Sequence, residues 1–324
     1  MKALLPRWPK YSARRAEAMA EPMFKRVALI GLGLIGSSLA HVMRREGLAG
    51  HIAGHARSAD TRAEVVRLGF ADSVHEHPQD AVRDADLVIL CVPVGACGAV
   101  AEAIAGDLKA GAILTDVGSV KASVVADVSP HVPESVHFIP GHPIAGTEQS
   151  GPNAGFAELF TNRWCILTPA AGADTKAVEK LTAFWQACGS QVDVMAVDHH
   201  DMVLGITSHL PHLIAYSIVS TAADLEEVTK SEVIKYSAAG FRDFTRIAAS
   251  DPIMWRDVFL TNKDAVLELL SRFSEDLSAL QKAIRWGNED QLVELFTRSR
   301  EIRRGIVEAG QDTDEPDFGR GHSE

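Results

Sequence analysis

One stretch, residues 25–40, constrains the fold more than any other: Lys-Arg-Val-Ala-Leu-Ile-Gly-Leu-Gly-Leu-Ile-Gly-Ser-Ser-Leu-Ala. Residues 27–30 are a short, wholly apolar run of the kind that forms a buried parallel strand. Gly31, Gly33 and Gly36 follow as G-x-G-x-x-G, and residues 37–45 then read as a helix. Strand, glycine turn and helix in that order turn a weak pattern into a dinucleotide-binding expectation. The first glycine permits the tight turn. The second lets a pyrophosphate approach the backbone, and the third lets helix and strand pack closely. Leu34 and Ile35 lie where free N–H groups and the positive end of the helix dipole face the phosphates. The competing reading is a glycine-rich turn with no ligand.

The alternation of strands and helices continues from residue 24 to about 196. Strands are expected at 52–55, 86–93, 112–116 and 136–140, and helices at 59–68 and 94–105. Two late strands, 164–169 and 191–195, flank a helix over 174–188. Apolar strands separated by helices imply a doubly wound parallel sheet of Rossmann type, an α/β domain over residues 23–196. After Met195 strand patterns stop. Residues 265–286 and 290–310 carry apolar side chains at three- and four-residue spacing, which predicts an all-helical domain over 197–310. One layer of such helices must bury its second face, so a dimer through that domain is expected. Residues 1–22 read as a disordered extension or an over-long start. Residues 311–324 read as a flexible acidic tail.

At 324 residues two domains are the better prior. A net charge of −11 argues against general nucleic-acid binding and against docking on anionic membranes. No apolar run in the sequence is read as long enough to span a membrane. Cys91, Cys97, Cys165 and Cys188 form no C-x-x-C pair and no disulfide framework, and no signal peptide is visible, so the cytoplasm is the default.

Ligands of such a sheet bind beyond the carboxyl ends of its strands, so the residues after each strand come first. After 52–55 an acid is usual in NAD-binding chains, roughly 20 residues past the glycines. Here Ala56, Arg57 and Ser58 stand instead, a set that suits a 2′-phosphate, so NADP is expected to be accepted alongside NAD. The alternative is that Arg57 only stacks on adenine. Val92 and Pro93 are expected beside the cofactor. Ser119 and His142 follow the strands at 112–116 and 136–140, on the same sheet edge as the glycine loop. An imidazole, with an ordinary pKa near 6.5, suits moving a proton while a hydride leaves. The helical region opens with His199, His200, His209 and His212. These are read as polar lining of a substrate pocket, or as helix-entry contacts, rather than a metal site, since no pattern of ligands completes one. Arg246, and less so Arg242 beside Asp243, offers a guanidinium for a carboxylate.

The motifs together resemble a known family. Gly-Leu-Gly-Leu-Ile-Gly-Ser-Ser at 31–38, Asp-Val-Gly-Ser-Val-Lys at 116–121 and Gly-His-Pro-Ile-Ala-Gly-Thr-Glu at 141–148 are similar to prephenate dehydrogenases. So are Ser-His-Leu-Pro-His at 208–212, Gly-Phe-Arg-Asp-Phe-Thr-Arg-Ile-Ala at 240–248 and Ser-Asp-Pro-Ile-Met-Trp at 250–255. That group includes the arogenate and cyclohexadienyl dehydrogenases of tyrosine biosynthesis. The resemblance implies oxidative decarboxylation of prephenate or arogenate, with hydride passing to NAD(P). His142 is then the base on the ring hydroxyl. Ser119 orients His142 and the nicotinamide end, and Arg246 holds the ring carboxylate. His200, His209, His212, Thr147, Glu148 and Trp255 line or gate the pocket, and the chain forms a homodimer through its helical domain. Two other readings stay open. One is a 3-hydroxyacid dehydrogenase, for which Lys230 or Lys235 would have to supply a catalytic lysine. The other is a nucleotide-sensing module without catalysis.

Overall fold

The computed structural model describes residues 21–147, 149–224, 235–236 and 238–308. Residues 1–20, Glu148, Lys230 and the tail 311–324 lie outside the described residues. The chain divides into two compact units, residues up to Lys263 and residues from Asp264 onward.

The first unit is built on β1 (Phe24–Ile30), α1 (Leu34–Glu46), β2 (Ala49–His55), α2 (Ala59–Leu68), β3 (Ser73–His75), α3 (Pro78–Val82), β4 (Leu87–Leu90), α4 (Cys97–Ile104), β5 (Ile113–Asp116), α5 (Lys121–Val128) and β6 (His137–Phe138). The strands pair in parallel in the order β3-β2-β1-β4-β5-β6, the doubly wound Rossmann order. Alternate residues of the central strands enter two separate cores. Val27, Leu29, Leu87 and Ile89 pack under α1. Ala28, Ile30, Val88 and Leu90 pack under α3, α4 and α5. Each such side chain contributes about 1.5–3 kcal/mol by leaving water. Helix ends follow local chemistry. The Ser58 hydroxyl accepts the Thr61 N–H at the start of α2, and Gly69, at φ 70°, closes it.

Three further strands, β7 (Gly141–Pro143), β8 (Trp164–Leu167) and β9 (Gln191–Val194), form a separate small sheet ordered β7-β8-β9, with α6 (Thr175–Ala187) between the last two. β7 runs antiparallel to β8, and β9 parallel to it. The sequence places His142 in a loop after a strand, but it lies within β7, opposite Ile166. The expected helix at 94–105 begins as a 3-10 turn, Val94–Ala96, before α4.

Helices follow. α7 (Val197–Leu204) runs through a π-helical segment, Gly205–His209, into α8 (Leu210–Asp224). Pro211 lacks the N–H that an α-helix needs there and crowds the preceding turn, and the wider π turn absorbs it. The helix is continuous for 28 residues. By length and composition it would suffice to cross a membrane, which corrects the expectation that no apolar run is long enough to do so. In this fold it buries His200, Asp201 and His209 against α5, β7 and Asn262, while Ile206, Ile218 and Val219 along it are exposed. α9 (Ala239–Thr245), a 3-10 turn Arg246–Ala249 and α10 (Pro252–Thr261) complete the unit, with Trp255 and Val258 joining the core beneath α4 and α5.

The second unit holds most of α11 (Lys263–Arg285) and all of α12 (Glu289–Glu308), joined at Gly287, whose φ of 62° suits glycine. Leu277, Ile284, Trp286, Val293, Phe296 and Ile302 are exposed along these helices.

Candidate active site

Ile30 pairs with both His55 and Leu90, and Leu90 with Asp116, so β1, β2, β4 and β5 end in register. Their loops open on one edge, the expected ligand edge of such a sheet. At Gly31, φ is 104°, and a Cβ there would lie 2.3 Å from the Cys91 carbonyl oxygen and 3.2 Å from Val92 Cγ1. A Cβ at Gly36 would lie 2.1 Å from the Gly31 oxygen. Gly33 faces open space, with nothing within 4 Å of a built Cβ. It is the N-cap of α1. No side chain caps that end, and no acid lies in the first turn, where Leu34 and Ile35 sit half-buried. The loop therefore offers backbone N–H groups and room to a pyrophosphate, so a dinucleotide fits these residues. At the end of β2, Ala56 is buried while Arg57 and Ser58 are exposed. Val92 is half-buried and Pro93 exposed beyond β4.

Beyond β5 the turn 116–121 is braced from within. The buried Asp116 carboxylate accepts the Gly118 N–H at 2.8 Å and forms an ion pair with the fully buried Lys121 ammonium. Lys121 Nζ also donates to the Gly141 carbonyl at 2.7 Å, and Gly141 N–H donates to Asp116 Oδ1 at 3.2 Å. This knot fixes the turn that carries Ser119 and ties it to the strand that carries His142.

His142 is 7% exposed. Its Nδ1 lies 2.9 Å from His200 Nε2, and His200 Nδ1 lies 2.7 Å from Asp201 Oδ1. Asp201 Oδ1 and Oδ2 accept the Lys121 and Ala122 N–H groups at the start of α5, each at 2.8 Å. Burial first, then the neighbouring His200, Lys121 and His209, holds His142 well below the usual 6.5. Burial pushes the Asp201 carboxyl up, but hydrogen bonds from His200 and the two α5 amides outweigh it and hold it below 3.8. His142 is thus a neutral imidazole at pH 7, with an ionised carboxylate two bonds away along the hydrogen-bonded chain.

The cluster continues. Asn262 Nδ2 donates to the Asp201 carbonyl at 2.9 Å and meets His209 Nδ1 at 3.0 Å. Burial lowers His209 to about 4. His209 meets Trp255 edge-on, and His212 stacks on Trp255 with ring centroids 3.6 Å apart. His212 Nδ1 lies 2.9 Å from the Ser208 carbonyl. Burial, with a smaller contribution from the Arg246 charge, lowers the pKa of His212. Contacts thus run from His142 through His200, Asp201, Asn262 and His209 to Trp255 and His212, and Arg246, exposed, acts on His212 through its charge.

Not every expected residue joins this cluster as a pocket side chain. His200 is fully buried between His142 and Asp201, so it sits behind the imidazole rather than lining a cavity. Thr147 is exposed, its hydroxyl accepting the Gln149 N–H. Lys235 is exposed beside Tyr236, and Arg242 pairs with Asp243 on the surface.

Comparison with known proteins matches this geometry to a family. The model for the prephenate dehydrogenase nucleotide-binding domain matches residues 39–194, and that for the prephenate dehydrogenase dimerization domain matches 196–298. The chain belongs to the prephenate dehydrogenase family. It is 43% identical over 284 residues to the cyclohexadienyl dehydrogenase of Zymomonas mobilis, covering 88% of this chain and 97% of that one. Identity to the Bacillus subtilis prephenate dehydrogenase is 32%, over 86% of this chain and 76% of that one. Among solved structures, A. aeolicus prephenate dehydrogenase in complex with hydroxyphenyl propionate and NAD+ superposes with a TM-score of 0.81 at 35% identity, covering 87% and 98% of the two chains. Synechocystis arogenate dehydrogenase superposes at 0.75 with 26% identity, covering 87% and 99%. A 3-hydroxyisobutyrate dehydrogenase from Salmonella typhimurium, at 14% identity and 0.51, shares the fold alone.

Asp116, Lys121, Asp201 and Asn262 are absent from the expectations drawn on the sequence. Asp116 and Lys121 bound a motif that was noticed for the serine inside it. Asp201 adjoins His200, and an acid beside a histidine was the available signal.

Proposed function

We propose that this chain is an NAD(P)-dependent dehydrogenase that oxidatively decarboxylates prephenate or arogenate. The observation that carries the reading is His142, a buried, neutral imidazole beside the ligand edge of the sheet, backed by His200 and Asp201. His142 takes the proton of the ring hydroxyl, and Arg246 holds the ring carboxylate until it departs as carbon dioxide. A bound nicotinamide supplies the acceptor for the hydride from the same ring carbon. Loss of carbon dioxide leaves an aromatic ring, which makes the step irreversible. Ser119, in the braced turn beyond β5, positions the reacting groups. His209, His212 and Trp255 shape the pocket. We retain the functional division near residue 197, at the start of α7.

Both nicotinamide cofactors are accepted on this reading. No acid stands at Ala56 to hold a ribose 2′-hydroxyl, and the exposed Arg57 and Ser58 at the start of α2 suit a 2′-phosphate. The chain works as a homodimer through its C-terminal helices, where apolar side chains lie exposed, and sedimentation of the full chain as a monomer would contradict this. The cytoplasm is the compartment we assign, in keeping with four free cysteines. The test is nicotinamide reduction followed by absorbance, pairing prephenate and arogenate each with NAD+ and NADP+. Turnover of at least one pair, with both cofactors used, is expected. No turnover on either substrate would end the dehydrogenase reading, and strict NAD+ use would end the Arg57 assignment.

A further inference from the structure

The hydrogen-bonded chain behind His142 fixes more than its position. Asp201, ionised, can only accept, so the proton between it and His200 sits on His200 Nδ1. One further proton is shared between His200 Nε2 and His142 Nδ1, 2.9 Å apart. If His200 carries it, His200 is a cation, and His142 keeps its own proton on Nε2, where it cannot act as a base. If His142 carries it, His200 is neutral and His142 presents a bare Nε2. The Asp201 charge is already met by two backbone N–H groups at the start of α5, so it does not need a cationic neighbour. Lys121, a buried cation close enough to act on His142, disfavours a second positive charge.

We propose that Asp201 and His200 are positioning residues that hold His142 as the Nδ1–H tautomer, leaving Nε2 free to take the substrate proton. The inference rests on His142 being the base, and it assigns the group on Nδ1 to His200 in place of Ser119. Once His142 has taken the proton, its Nδ1–H points along the chain to Asp201, so the new positive charge faces a fixed negative one at no cost of rearrangement. The same logic reaches a third histidine. The Asn262 amide must turn its nitrogen to the Asp201 carbonyl, so the same nitrogen donates to His209 Nδ1. His209 then carries its proton on Nε2, an atom buried near the Ser119 backbone.

Nitrogen-15 NMR of the full chain with labelled histidine reads this directly, with His142→Asn and His209→Asn identifying the signals. His142 is expected as Nδ1–H and His209 as Nε2–H, both neutral at pH 7.5. An Nε2–H signal for His142 would overturn the proposal. Turnover gives a second readout. His200→Leu, which cannot accept from His142, is expected to lose about 100-fold or more in kcat with KM little changed. His200→Gln can accept from His142 and donate to Asp201, and it should recover most of that loss. Equal losses in the two variants, at equal thermal stability, would reduce His200 to a packing role and overturn the proposal. The tautomers are read without substrate, so a failure of the substrate assignment leaves them standing, and an Nε2–H on His142 is distinguishable from a wrong substrate.

Discussion

At the residue scale, Arg246 and His142 take different shares of the work. On the proposed reading Arg246 carries a charge that meets substrate throughout binding and reaction, so its loss acts mainly on affinity. Arg246→Gln is expected to raise KM for the cyclohexadiene by roughly 30-fold or more, through a charged contact worth about 2–5 kcal/mol, with a smaller effect on kcat. Steady-state constants at saturating cofactor check this, and an unchanged KM places the carboxylate elsewhere. His142 was legible in the sequence because glycine and proline flank it beyond an apolar run. Asp201 and Asn262 were not, because their value comes from distant partners. Asp201 meets the amides of Lys121 and Ala122, 80 and 79 positions away, and Asn262 meets His209, 53 away. Periodicity and local motif carry no trace of such pairings.

At the element scale, the glycine loop separates fold from ligand. Gly31 is required by its φ of 104° and by the Cys91 carbonyl, so Gly31→Ala should destabilise the protein by about 2–5 kcal/mol. Gly33 has no neighbour that a methyl would strike. Gly33→Ala should keep its melting temperature within a degree or two, yet weaken cofactor binding about tenfold or more, by filling the approach to α1. Melting curves and cofactor titration of the pair separate the two roles. Unaltered affinity in Gly33→Ala would remove the pyrophosphate from this loop. The parallel sheet was readable because its strands are short apolar runs between helices. β7 was not, since three residues beginning with Gly141 and ending with Pro143 have no strand signature and are held by pairing with β8 and by Asp116 and Lys121. The π turn was equally hidden, because no local pattern over residues 205–209 announces it.

At the scale of the whole molecule, histidine burial sets the response to acid. His41, His51, His55, His75, His142, His209 and His212 are all held below 6.5, burial being the largest cause in each. Below pH 6.5 the unfolded chain therefore binds protons that the folded chain refuses, and stability falls as pH drops. For His209 the fall continues to about pH 4. The melting temperature should be lower at pH 5 than at pH 7.5 by at least about 3 °C, and calorimetry checks this. A higher value at pH 5 would contradict the burial of these rings. The change from alternating elements to helices alone was plain in the sequence. The compact unit ending at Lys263 was not, because α7 to α10 join it through contacts between residues far apart in sequence, such as His142 with His200, Lys121 with Asp201, and Trp255 and Val258 with the core beneath α4 and α5.

The central claim is that the buried imidazole of His142 takes the proton as the hydride leaves. Turnover of His142→Asn, measured with cofactor binding followed in parallel, tests it most directly. The account predicts a fall in kcat of about 100-fold or more with the cofactor dissociation constant unchanged. Near-normal turnover in a variant that still binds cofactor would contradict it.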